Sequence, residues 1–168
     1  MADEKKKILV AGSRNPARAA ALELALRDCV ERNGWGERFA VHAVGMGAGA
    51  GRLPARDITV LLAAGLGEPV KACSDFENSP DLLTGVCAVV AEDERTAAHL
   101  IGYKELGRAD LVRLDEAFPE FARAPAGNVD DDSGRDLSSD LTAFVEVAPE
   151  LLRLVLANLA SEFAPLNA

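Results

Sequence analysis

The 168 residues carry 18 Lys plus Arg against 27 Asp plus Glu, a net charge of −9; 49% are hydrophobic and only 5% aromatic. That length and composition describe one globular domain over residues 1–168, with alanine and leucine favouring helix-rich packing. The acidic balance, without a basic run, argues against nucleic acid or an anionic membrane as partner, and no apolar run approaches the ~20 residues of a membrane span.

After the charged start Met1–Lys7, only Ile8–Ala11 is apolar, too short for a signal peptide. Cys29, Cys73 and Cys87 are an odd number without a Cys-x-x-Cys pair, so a reduced, cytoplasmic protein with cysteines in its core is expected. His42 and His99 share no ligand spacing, and neither a metal nor a cofactor is expected.

In chain order, Ile8–Ala11 reads as a buried strand and Gly12–Pro16 as a polar loop. Ala17–Asn33 reads as a helix stopped by Gly34. Phe39, Val41 and Ala43 alternate as a second strand, and Trp35 before them reads as a cap over the core edge. The glycines between Gly45 and Gly51 read as a flexible loop, followed by a helix over Pro54–Ala64 with Gly65 after it. Val86–Ala91 is the clearest buried strand; a helix over Asp93–Ile101 and a short strand Leu111–Leu114 follow. Ala124–Asp136 reads as polar loop, and Ser139–Phe163 is helical in pattern, kinked or restarted at Pro149. Strands alternating with helices give an α/β class: a three-layer sandwich whose small parallel sheet, about four strands, has helices on both faces.

In such a sheet, ligands sit beyond the carboxyl ends of the strands. The first junction is Gly12-Ser13-Arg14-Asn15-Pro16-Ala17-Arg18, a strand, a polar loop and a helix start. Amides and dipole converge there on an anion, and Arg18 could fork around it, so the candidate anion-binding set is Ser13, Arg14, Asn15, Ala17 and Arg18. The loop is neither a Walker A nor a G-x-G-x-x-G sequence.

This arrangement resembles the low-molecular-weight protein tyrosine phosphatases and the arsenate reductases that share their fold. The resemblance rests on Ile8–Ala11 as first strand and on a degenerate Cys-x5-Arg loop. In it Gly12 falls on the nucleophilic cysteine, Ser13 on Thr, Arg14 on Gly, Asn15 on Asn, Arg18 on Arg and Ala19 on the following serine. It continues through Arg38–Gly47, Leu53–Asp57, Leu62–Leu66, Val86–Asp93 and the terminal helix, with Val129–Asp132 where the family has its general acid, so that Asp131 is the degenerate acid position.

The family's chemistry needs a thiolate and an acid. No cysteine precedes Cys29, Ser13 is the loop's only hydroxyl, Pro16 removes one amide, and Ala19 lacks the hydroxyl. Arg14 would be strained if its position required positive φ. The expected protein is a pseudophosphatase that binds phosphate, a phosphorylated ligand or a partner protein without turnover. Alternatives are a phosphatase using an unrecognised nucleophile such as Ser13, and a structural or oligomerising module. Asp130–Asp132 reads either as a solvated loop or as a segment folding over Arg14 and Arg18.

Overall fold

The computed structural model describes residues 5–107, 109–121 and 137–157. Strand β1 (Lys6–Gly12) enters helix α1 (Pro16–Arg32), and β2 (Phe39–Gly45) follows. Next come β3 (Gly51–Arg52), α2 (Ala55–Ala63) and β4 (Ala72–Asp75). The second half has β5 (Val86–Ala91), α3 (Glu94–Ile101), β6 (Asp110–Arg113), the single turn α4 (Leu114–Ala117) and α5 (Leu137–Val155).

The sheet order is β3-β4-β2-β1-β5-β6, parallel except for the antiparallel β3–β4 pair. The α/β class holds, with six strands instead of about four. The two additional strands are short, β3 of two residues at the edge and β4 of four residues beside it. Neither Gly51-Arg52 nor Ala72-Cys73-Ser74-Asp75 has an apolar run to announce it.

Period-two alternation divides the core between two faces. Ile8 and Val10 point into a layer containing α1 and α5, whereas Leu9 and Ala11 point into one with Ala97 and Leu100 of α3 and with Phe76. Helix α1 is buried at twelve of its positions, because it lies between sheet and α5. Its buried alanines, Ala17, Ala19, Ala20, Ala21 and Ala25, allow that close approach. α5 starts at Leu137 and runs through Pro149, which occupies a helix interior where its missing N–H leaves one rung open. Trp35 packs edge-on against Phe39 at the foot of α1.

Register fixes what meets at the carboxyl rim. Gly12 pairs with Gly45 and Ala11 with Ala91, while Gly45 pairs with Asp75. The loops after β1, β2, β4 and β5 therefore emerge side by side. The chain returns to β2 on one side of β1 and later to β5 on the other, so the crevice between β1 and β5 is the sheet's switch point.

Candidate functional site

Asn15 ends the β1–α1 loop in extended backbone (φ −150°, ψ 154°) and caps α1, its Oδ1 accepting from the Arg18 N–H at 3.2 Å. Pro16 takes the first helical position, where its fixed φ suits the helix and its missing N–H costs nothing. Among the described residues no residue other than glycine has positive φ. Arg14 therefore sits in the loop without the strain anticipated for it.

Gly45 and Gly49, at the end of β2 and just beyond it, are close-packed backbone rather than parts of a merely flexible loop. Met46 N–H donates to Gly12 O at 3.0 Å, and a Cβ on Gly49 would lie 2.2 Å from that same carbonyl oxygen. A Cβ on Gly45 would lie 2.0 Å from Gly49 O. The 3-10 turn Gly47–Gly49 thus buttresses the first loop, and side chains at 45 or 49 would push it away.

At Gly12, where the sequence resemblance would set a nucleophilic cysteine, the space is filled. A Cβ there would lie 2.3 Å from Glu92 Oε2 and 2.9 Å from its Cδ. Glu92 is the first residue after β5, is 2% exposed, and is tied to β1 through its N–H to Ala11 O at 3.0 Å. Its Oε1 faces Arg18 Nε at 3.9 Å.

Arg18 is itself 6% exposed. Its guanidinium lies 5.7 Å from the Phe144 ring centroid and donates from Nη2 to Phe121 O at 3.4 Å. Nε is buried without a hydrogen-bond partner. An unmet buried donor costs about 1–3 kcal/mol, and a buried ion pair offsets its own desolvation only with good geometry. The pair therefore neutralises charge more than it stabilises.

The next residue of the same junction takes the other arginine. Asp93 Oδ2 lies 3.8 Å from Arg14 Nε. Asp93 Oδ1 caps α3, accepting from Thr96 N at 2.9 Å and from Thr96 Oγ1 at 2.8 Å. Thr96 Oγ1 also shares a 3.1 Å hydrogen bond with Ser13 Oγ. Ser13 thus meets a hydroxyl rather than an imidazole, and a hydroxyl is no base for activating it.

The loop floor is thus filled by Glu92, with Asp93 at its rim, and sequence reasoning singled out neither. The signal was present as the acidic run Glu92-Asp93-Glu94 directly after the best strand. Ser13, Arg14, Asn15, Ala17 and Arg18 are brought together around Gly12 as a contiguous loop and first helical turn. Asp131, with Asp130 and Asp132, lies outside the described residues.

Cys73 lies beneath the loop, its thiol donating to Pro16 O at 3.2 Å. Burial, reinforced by Glu92 and Glu23, pushes that thiol up to about 12. At neutral pH so weakly acidic a thiol stays protonated, and Cys73 is not poised to act as a nucleophile. Glu23, one helical stretch further along α1, is 1% exposed; burial raises its carboxyl to about 7, against the opposing pull of Arg27, whose Nη1 lies 3.3 Å away. His42 is half-buried, with its basicity lowered by burial and by Lys7, and His99 faces Glu77 at 3.1 Å. Among the described residues no group of three His, Cys, Asp or Glu side chains could hold a metal ion, and no helix is long and apolar enough to cross a membrane.

No protein-family model matches the sequence, and no curated protein matches it. Solved structures do match its fold. YfkJ from Bacillus subtilis superposes with a TM-score of 0.67 at 16% identity, covering 93% of this chain and 98% of that one. A low-molecular-weight protein tyrosine phosphatase from T. tengcongensis gives 0.64 at 13%, covering 89% and 99%. The low-molecular-weight phosphotyrosine phosphatase VcLMWPTP-2 from Vibrio cholerae O395 gives 0.62 at 18%, covering 88% and 94%. The chain has the fold of low-molecular-weight protein tyrosine phosphatases.

Proposed function

We propose that this chain is a pseudophosphatase: a phosphatase fold that acts by binding and turns over no phosphate ester. One observation carries the reading. The position of the attacking thiol is a glycine whose side-chain space holds the Glu92 carboxylate. With its Oε2 standing where a Cβ of residue 12 would project, Glu92 covers the loop floor that an ester would have to reach. Removing the nucleophile from a catalytic unit typically costs about a million-fold in turnover.

Of the two ligands the sequence left open, the geometry favours a partner protein over a free oxyanion for the loop as it stands. Arg14 and Arg18 both already face carboxylates. Hydrolysis of phenyl phosphate, followed by phenol release across pH 5–8, tests the reading. The expected result is no release above the uncatalysed background. Sustained release that vanishes in Arg18→Met would overturn it.

A further inference from the structure

We infer that Glu92 is the loop's resident anion: a latch holding shut a latent site for a tetrahedral oxyanion of the phosphate-monoester class. The inference rests on the binding-without-turnover reading above and adds what regulates that loop. Arg18 is a buried cation, and its Nε lacks a hydrogen-bond partner. It points at Glu92 Oε1 across 3.9 Å, a separation that gives charge compensation without a hydrogen bond. A guanidinium held at that distance from a single carboxylate still has donor capacity for an anion with more oxygens.

Glu92 meanwhile occupies the floor that such an anion would cover, since its Oε2 stands where a Cβ of residue 12 would project. Its like charge repels an incoming oxyanion at the range where Coulomb forces are strongest, inside a buried setting that screens them little. Gly12 is the complement of the latch, because only the absence of a side chain admits the carboxylate. Nothing in the loop's backbone demands the glycine: its φ is not in the left-handed region. Asp93 holds Arg14 at 3.8 Å but is part-exposed and tied to the α3 cap, so it screens the rim without filling the floor.

The test is calorimetric titration of inorganic phosphate into the wild type, Glu92→Gln, and Glu92→Gln with Arg18→Met. The latch requires Glu92→Gln to bind phosphate about ten-fold more tightly or better than wild type, since one like charge at contact range has been removed. It also requires that binding to disappear when Arg18 is methionine, which keeps an apolar stem against Phe144. Equal affinity in wild type and Glu92→Gln, absence of binding in both, or binding that survives Arg18→Met overturns the latch. Phenyl phosphate in a parallel arm separates this from the pseudophosphatase reading: phenol release by the wild type overturns that reading whatever the phosphate affinities show.

A thermal-melting cycle keeps the claim exposed if Glu92→Gln folds poorly. Gly12→Ala should lower Tm in the wild type and lose at least half of that effect in a Glu92→Ala background. Undiminished loss there, or failure of both Glu92 variants to fold, would make Glu92 a purely structural counter-ion and overturn the latch.

Discussion

Placing a thiol on the loop floor by Gly12→Cys is the sharpest perturbation of this loop. A Cβ at residue 12 would lie 2.3 Å from Glu92 Oε2, 2.9 Å from its Cδ and 3.4 Å from Ala19 Cβ. The first two distances overlap by several tenths of an ångström to about an ångström, since carbon and oxygen normally stop near 3.2–3.5 Å. The flexible end of Glu92 must give way, but it is buried and paired to Arg18. Overpacking of this kind costs about 1–3 kcal/mol, and separating the buried charges adds to it. In a domain of this size each kcal/mol lowers Tm by about 2–4 °C, so a drop of roughly 2–12 °C is expected from the overpacking alone. The introduced thiol would also face a carboxylate, which opposes thiolate formation, so no hydrolysis of phenyl phosphate is expected either. Differential scanning fluorimetry and a phenol-release assay on the single variant and on Gly12→Cys with Glu92→Ala measure both effects. The double variant should melt close to Glu92→Ala alone. A Gly12→Cys protein as stable as wild type, or one that hydrolyses the ester, would refute the account of the filled floor.

Three further outcomes follow from neighbouring groups. Glu23 has a folded-state pKa of about 7 against an ordinary 4.5, so between those values only the native state holds its proton. Stability from this group is therefore full below pH 4.5 and lost as pH rises to 7; denaturation at both ends should favour Glu23→Gln over wild type by a further ~3 kcal/mol at pH 7.5. Asn15→Ala removes the α1 cap and should cost about 1 kcal/mol by urea denaturation. Cys73, buried with its thiol at about 12, should resist iodoacetamide at pH 8 in the native protein and react on unfolding; rapid native labelling, read by mass spectrometry, would contradict that placement.

Much of the fold was legible because the central elements are long and strongly patterned. Ile8–Ala11 and Val86–Ala91 are continuous apolar runs, as strands buried on both faces must be, and both are central. β3 and β4 escaped notice because both are short and at the margin of the sheet, and only Cys73 of them is buried. The glycines from 45 to 51 misled for a different reason. Glycine marks both mobility and close backbone approach, and only the contact of Gly49 with the Gly12 carbonyl decides between them. Glu92 could not be read as part of the loop, since 80 residues separate it from Gly12 in sequence and only the β1–β5 register places them together.

That register makes Gly12 and Glu92 one feature rather than two. Because Ala11 pairs with Ala91, whatever follows β1 must share space with whatever follows β5. Arg18 adds the electrostatic half of the constraint. It is nearly fully buried on α1, and a buried cation left without a counter-charge costs about 3–5 kcal/mol relative to the intact pair. In a loop whose floor carried a thiolate, that thiolate would supply the negative charge. With glycine at residue 12 it comes from the Glu92 carboxylate, which enters through the space that glycine opens. The glycine at residue 12 and the buried Glu92 carboxylate are thus matched to each other by packing and by charge.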